Sequence, residues 1–453
     1  MTGIPFDIDF DIVPTMPENN FLTLIRKYNN FFNSYPTMLF TRNHISERDK
    51  TLKVRPVYAV DEIFLIIELM LTFPLIVQAR KPTCAIMHSM ETLRGSNRLL
   101  DALAKTYTSF FTIDWSGYDQ RLPRPITDSF FLKFLRSKII ISDGYAATME
   151  YPDYPDLSEH DLYERMDNLL HFLHLWYNNM TFLSADGYAY RRTCAGVPSG
   201  LYNTQFLDSY GNLYLLIDGL IEFGCTDEEI IAILLFVLGD DNSGFTHWPI
   251  LRLIAFVDFL EAYCLDRWNM VLSASKSIVT CLRSKIQTLG YECNFGNPKR
   301  DIKKLVAQLC FPEHGIKYRT MSARATGIAY ASCMQDATFY QFCKDIHTMF
   351  LPFLDPTDRE ILSLKRQLSP ADTATELELE LDLTVFPTPE QIRAQIAFYA
   401  GPLPISSKWN YAHFKNDPDH APDFFLTMQD YEYLNDLKVR TAPNMLHVNQ
   451  LDS

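Results

Sequence analysis

The apolar run Ile231 to Leu238 ends at once in Gly239, Asp240, Asp241 and Asn242. An uninterrupted apolar stretch of this length reads as a buried strand, here Leu234 to Leu238, and the glycine and acids read as the turn after it. Taken alone, the Gly-Asp-Asp triplet is compatible with a plain surface turn. A second stretch adds to it. Thr108 to Trp115, TSFFTIDW, alternates, with Thr112 and Asp114 on one face and Phe111, Ile113 and Trp115 on the other. Asp114 ends that strand and Gly117 follows in a turn. If the two strands are neighbours, Asp114 and Asp240 converge, and two carboxylates that close do not both ionise without a counter-charge. A pair of Mg²⁺ ions supplies one, because Mg²⁺ takes carboxylate and phosphate oxygens. Two such ions stabilise the attacking and leaving oxygens of an in-line displacement at phosphorus.

The rest of the chain limits what can surround this pair. Its 453 residues suffice for two or three cores or one large subdivided enzyme, and 47% apolar residues exclude general disorder. A net charge of −14 argues against a simple nucleic-acid coat while leaving room for a local basic groove. Nine cysteines without a C-x-x-C pair read as reduced intracellular thiols rather than a zinc module. His171 and His174 in HFLH read as packing or surface histidines. The opening MTGIPFDIDFDIVP lacks the basic start of a signal peptide. Phe64 to Val77 is too short to span a bilayer and contains Glu68 and Pro74, so a buried helix ending near Pro74 is expected. A soluble, intracellular protein without a membrane partner follows.

Local signals fill in the remainder. A helix is expected over Asn20 to Phe32. Thr41 to Arg55 concentrates Arg42, Arg48, Lys50, Lys53 and Arg55, and VRPVYAV then reads as a strand, so a basic strand edge can form a phosphate-reading wall. Ser158 to Asp161 has a capping-box pattern opening a helix to about Asn179. TFLSADGYAYRR reads as a hairpin turning at Asp186-Gly187. Gly196-Val-Pro-Ser-Gly200 is a tight loop before a helix over about Tyr202 to Phe223, stopped by Gly224. Thr226 to Glu229 can cap a short helix. Trp248 to Cys264 reads as helix, Asn269 to Ser277 as strand and turn, and Gln287 to Arg300 as a second hairpin with a basic end. After Asp301 the pattern is mostly helical. Ala374 to Pro387 alternates acid and leucine, which fits an edge strand or a solvated acidic helix equally.

Four blocks in order, DWSGYDQ (114–120), GVPSGLYNTQFLDS (196–209), LGDDN (238–242) and SASKS (273–277), resemble palm motifs A, B, C and D of viral RNA-dependent RNA polymerases. KVRPVYAVDE (53–62) resembles motif F, which admits the nucleotide, and LGYECNFGNPKR (289–300) resembles motif E, the primer grip. The wording between them is similar to the partitivirus family of double-stranded RNA viruses, above all its shorter plant-associated members. The match runs from about residue 50 to 325.

This resemblance implies an α+β right-hand polymerase with a small antiparallel palm sheet flanked by helices. It divides the chain into an N-terminal region and fingers (1–105), palm (106–140), a fingers insertion (141–195), a second palm segment (196–300), and thumb with C-terminal region (301–453). It implies that Asp114 and Asp240 ligate two Mg²⁺ ions, or Mn²⁺ in their place, with Asp241 as a weaker ligand. Asp119 would read the ribose, and Ser199 and Gly200 would form the loop that steers template and nucleotide. Thr204 and Asp208, four apart, share a helix face. Many related polymerases carry Asn at the place of Asp208, and Asp does not donate as Asn does, so the resemblance leaves 2′-hydroxyl selection open at this position. Lys276 matches the lysine proposed to protonate leaving pyrophosphate, although a lone turn lysine also fits solvent. Lys53 and Arg55 would neutralise the triphosphate, and Lys299 and Arg300 would grip the nascent strand, with Lys303 and Lys304 extending that edge. The implied partners are RNA template and product, NTPs and a viral capsid protein, and the implied location is the host cytoplasm, inside the virion.

Three other readings stand beside this one. A reverse transcriptase shares the two-metal palm but usually carries an aromatic-x-Asp-Asp turn, where this chain has Leu238 and Gly239. A noncatalytic, capsid-associated RNA-binding protein leaves Asp114 and Asp240 without a purpose. A carboxylate hydrolase explains neither the Pro198-Ser199-Gly200 loop nor the basic wall.

Overall fold

The computed structural model describes residues 30–43, 45, 54–139, 141, 157–192, 196–313, 315–355, 357, 361 and 382–402. Lys53, Arg48, Lys50, most of the helix expected over Asn20 to Phe32, residues 374–381 of the acid–leucine segment and the polar tail lie outside the described residues.

The centre is a four-stranded antiparallel sheet. β3 (Ser109–Thr112) pairs with β7 (Asp241–Thr246) and with β8 (Ile278–Thr280), and β6 (Leu234–Leu238) closes a hairpin with β7, giving the order β8-β3-β7-β6. Both faces of this sheet are covered. Phe111, Leu235 and Val237 pack with helices α4 (Thr204–Glu222) and α5 (Ile250–Trp268), through Leu213, Leu216, Leu220, Phe256 and Leu260. Phe110, Leu234, Phe236 and Phe245 pack on the other side with Met87, Met90 and, from helix α2 (Ser96–Ala104), Leu100 and Ala104. Burial on both faces is why Leu234 to Leu238 is uninterrupted rather than alternating. Gly244 lies opposite Phe111, and a Cβ there would fall 2.1 Å from the ring.

A second sheet, order β2-β1-β4-β5, stands beside the first. β1 (Thr37–Asn43) pairs antiparallel with β2 (Val54–Ala59) and parallel with β4 (Thr181–Ser184), which turns back into β5 (Ala189–Arg191). The turn carries Gly187 at φ 87°. Helices α1 (Glu62–Gln78) and α3 (Glu159–Asn178) pack together through Phe64 and Trp176, stacked at 4.2 Å. The capping boxes expected at Ser158–Asp161 and Thr226–Glu229 are both formed. On α3, His171 and His174 are buried, and His174 Nε2 lies 2.7 Å from Asp128 Oδ1.

After Asp301 come α6 (Ile302–Cys310), α7 (Tyr318–Ala331) and α8 (Ala337–Phe350), gathered on Leu305, Leu309, Met321, Ala325, Phe339 and Cys343. An ion pair of Arg42 with Glu313, at 2.8 Å, ties this helical region to β1. Among the described residues no helix is long and apolar enough to cross a membrane.

Three expectations need correction. Helix α1 does not end near Pro74 but continues to Gln78. Leu71 and Leu75 anchor the helix on both sides of the proline, and the carbonyl deprived of its donor belongs to Met70, a residue on the exposed side of the helix. The acidic turn is tighter than the four residues Gly239 to Asn242: Leu238 pairs with Asp241, leaving Gly239 and Asp240 as its two turn residues. Helix α5 runs past Cys264 to Trp268, where Asn269 at φ 54° stops it.

Candidate active site

The ends of β3 and of the β6–β7 hairpin open onto a cavity of about 610 Å³. Asp114, Asp119, Asp240, Lys276, Ser199 and Arg55 all line it. Asp114 follows β3. The strand beside it is the returning one, β7, rather than β6, which leads into the turn. Continuing the register Phe111↔Gly244 sets Asp114 opposite Asp241.

Two buried amides hold this arrangement, and sequence reading assigned a role to neither. Asn242, 1% exposed, accepts from the Ile113 N–H at 2.8 Å and donates to the Ile113 carbonyl at 3.0 Å, locking the approach to Asp114 onto β7. Asn212 on α4 is fully buried. Its NH₂ donates to the carbonyls of Gly239 (3.0 Å), Asp240 (2.9 Å) and Asp241 (3.3 Å), and its oxygen accepts from Trp115 Nε1 at 3.0 Å. One turn earlier, Ser209 Oγ accepts from the Gly239 N–H at 2.8 Å. Ser209 and Asn212 lie three apart among leucines, so a polar i, i+3 pair on an apolar helix was the available signal.

The loop before α4 is held by backbone contacts. Val197 N–H donates to the Asp119 carbonyl at 2.7 Å, and Tyr58 N–H on β2 donates to the Ser199 carbonyl at 2.9 Å. Gly200, at φ 141°, is pressed so closely to β2 that a Cβ would lie 1.9 Å from the Tyr58 carbonyl oxygen. Ser199 Oγ donates to the Asp119 carboxylate at 2.9 Å. Thr204 turns its hydroxyl into the loop, donating to the Pro198 and Leu201 carbonyls. Beneath it, fully buried Glu68 of α1 accepts from the Tyr202 N–H at 2.8 Å, and burial pushes its carboxyl up to about 8.

Charge is crowded here. Burial and then the Asp119 charge raise Asp240 above the usual carboxylate range, with Asp114 adding and Arg55 opposing. Burial and then Asp240 and Asp114 push Asp241 up to about 6. Both side chains remain exposed at the turn, so water screens part of this repulsion. Asp208, 4% exposed, lies behind the cavity wall; burial, Asp119 and Asp240 raise it well above the usual range, which favours the protonated form that can donate. Lys276 Nζ lies 3.6 Å from Asp114 Oδ1.

A cation suits this set. The donors are carboxylate oxygens, which hard divalent ions take, and the repulsion raising Asp240 and Asp241 is what such an ion relieves. Among the described residues no group of three or more His, Cys, Asp or Glu side chains is placed to hold a metal ion by itself. An open set is the form Mg²⁺ uses when substrate phosphates and water complete its shell.

Some sequence-derived residues lie apart from the cavity. Gly200, Thr204, Asp208 and Asp241 support its walls without lining it. Lys299 and Arg300 follow the short hairpin of β9 (Gln287–Thr288) and β10 (Tyr291–Glu292). Lys299 pairs through its backbone with Glu292, and the Arg300 guanidinium sits 5.2 Å over the Tyr291 ring. Lys299, Lys303 and Lys304 are exposed.

No protein-family model matches the chain. The fold is that of the viral RNA-dependent RNA polymerases. It is similar to the polymerase of a human picobirnavirus (TM-score 0.53, 14% identity, 74% of this chain and 60% of that one). It is also similar to the 3Dpol polymerase of a sicinivirus (TM-score 0.52, 14% identity, 72% of this chain and 66% of that one). In sequence the chain is 42% identical over 396 residues, 82% of its length, to the RNA-directed RNA polymerase of Atkinsonella hypoxylon virus (isolate 2H). It is 26% identical over 379 residues, 80% of its length, to that of white clover cryptic virus 1. The chain is thus similar to the RNA-directed RNA polymerases of these two viruses, and it spans 59% of the length of each.

Proposed function

We propose that the chain carries out template-directed RNA synthesis: a 3′-hydroxyl attacks the α-phosphate of an NTP, and pyrophosphate leaves. The observation that carries this reading is that Asp114, Asp240, Asp119, Ser199, Arg55 and Lys276, from five separate stretches of sequence, face one cavity. Asp114 and Asp240 would hold the divalent ions, Mg²⁺ or Mn²⁺, with Asp241 at their edge. When bound, such ions neutralise the triphosphate and stabilise the attacking and leaving oxygens. Arg55 presents a fork that matches phosphate oxygens. Lys53 would act beside it.

The Asp119–Ser199 pair offers both an acceptor and a hydroxyl to a ribose. Asp208, buried behind the wall and within reach of the Asp119 charge, would in its protonated form supply the donor that Asn supplies in many related polymerases. Lys276 is placed beside Asp114 to deliver a proton to the leaving pyrophosphate. Lys299 and Arg300 grip the product strand, with Arg300 steered by Tyr291. The division into fingers, palm and thumb expected from the sequence, a role in replicating a double-stranded RNA genome, and action within a capsid belong to the same proposal.

The test is purified protein with a defined RNA template, four NTPs and Mg²⁺, with and without chelator. Template-length RNA that vanishes with chelator supports the reading, and Asp240→Asn should abolish synthesis while keeping most RNA binding. Full synthesis by that variant would sink the two-metal assignment. Preference for dNTPs over NTPs would point to a reverse transcriptase instead.

A further inference from the structure

The hairpin of β4 and β5 reaches the cavity from outside the polymerase motifs. Phe182 of β4 lies on the cavity wall, as does Tyr58 of β2, and their ring centroids are 5.0 Å apart at 51°. Their common direction is set by β1. Phe182 is level with Thr37 and Tyr58 with Leu39, two residues apart on the strand between them, so both project from one sheet face. Neither ring is fully buried. Trp115 and Tyr118, which also touch the cavity, are 5% and 2% exposed and belong to the core beneath it. The rest of the wall is largely charged or polar, so the Phe182–Tyr58 pair is an aromatic surface turned into a polar space.

Its place in that space follows from a chain of short contacts. Asp114 and Asp240 mark the phosphate end, and Arg55, three residues before Tyr58, acts on Asp240. Asp119 and Ser199 come next, joined at 2.9 Å. The Ser199 carbonyl then accepts the Tyr58 N–H at 2.9 Å, and Tyr58 leads to Phe182. Phosphate, ribose and base follow one another in the same order in a nucleotide. A flat apolar ring pair at the third position suits a nucleobase, which stacks on aromatic side chains whatever its identity.

We propose that Phe182, with Tyr58, is the base-stacking wall for the incoming nucleotide, so that the β4–β5 hairpin is a nucleotide-positioning element. The inference rests on the polymerase reading of the cavity.

The test compares equilibrium binding of ATP, GTP, CTP and UTP with that of inorganic triphosphate, in Mg²⁺, on the whole protein. The wild type should bind each nucleotide more tightly than inorganic triphosphate. Phe182→Leu should reduce that nucleobase increment by about five- to one-hundredfold, leave inorganic triphosphate binding unchanged, and raise the KM for NTP far more than it lowers kcat. Phe182→Trp should restore the increment. Two results would overturn the proposal: an increment that survives Phe182→Leu, or an equal loss of nucleotide and inorganic triphosphate binding, which marks a structural role. Equilibrium binding needs no turnover. A chain that showed the increment yet made no template-length RNA would therefore count against the polymerase reading alone.

Discussion

Two segments meet at the cavity, and they are held in opposite ways. The turn at Gly239 and Asp240 is fixed by side chains, Ser209 and Asn212, which reach up from α4 to its backbone. The loop Gly196 to Gly200 is pressed backbone on backbone against Asp119 and β2, with glycine where no side chain fits, and the side chains of Tyr177, Arg192 and Thr204 reach its Gly196 and Pro198 carbonyls. The first segment carries the carboxylates, whose mutual repulsion must be resisted by something rigid. The second presents a hydroxyl and a flat backbone against β2. Side-chain anchoring can be weakened by degrees through substitution. Backbone apposition fails at once when a Cβ intrudes.

The difference can be broken most sharply at Asp240. Asp240→Asn removes the charge but keeps the turn, so synthesis should fall by about a thousandfold or more, the equivalent of several kcal/mol of lost charge stabilisation, with a denaturation midpoint no lower than the wild type's, because the burial and repulsion that disfavour the Asp240 charge are removed with it. Gly200→Ala should do the reverse, destabilising the fold by about 3 kcal/mol or more through overlap with the Tyr58 carbonyl and a strained φ; denaturant melts measure it, and a near-native midpoint would refute the close approach. Asn212→Leu keeps the volume but strips partners from three carbonyls and the Trp115 N–H. It should cost about 2–3 kcal/mol and lower kcat more than it raises the KM for NTP.

Glu68 sharpens the comparison through pH. Its folded-state carboxyl titrates near 8 against a reference of 4.5. The fold favours the protonated form, so the stability linked to it is complete below 4.5 and is lost as pH rises through about 8. Glu68→Gln should flatten the decline of stability across that window by about 1 kcal/mol per pH unit, read as urea midpoints at several pH values; parallel profiles would refute the assignment. The smallest effect is expected at Arg42→Ala. The Arg42–Glu313 pair is half exposed, so its loss should cost less than about 1 kcal/mol and fade in high salt.

What the sequence disclosed and what it hid follow the range of the forces involved. The capping boxes, the Asp186-Gly187 turn and the strand Leu234–Leu238 are set by neighbours a few residues away, and they stand where the pattern put them. Asp114 and Asp240 could be paired because both follow apolar strands. Which strand lies beside Asp114 was not legible, since the mostly polar run of β7, Asp241 to Thr246, reads as turn rather than as a strand of the core. Asn212 was passed over because a single amide in a helix resembles any other until the carbonyls above it are known. Phe182 was passed over because a hairpin aromatic usually packs, and only the sheet order brings it beside Tyr58.

The order β8-β3-β7-β6 has a consequence for how the chain comes to exist. β3 leaves the ribosome well over a hundred residues before either of its partners, since Ser109 pairs with Thr246 and Thr112 with Ile278. Until about residue 280 has been synthesised, Asp114 has no completed sheet on which to stand. Contacts so distant in sequence are slow to close and leave apolar strands uncovered meanwhile. The nascent chain therefore carries Asp114 through much of its synthesis without the strands that complete its platform, and the cavity takes shape late.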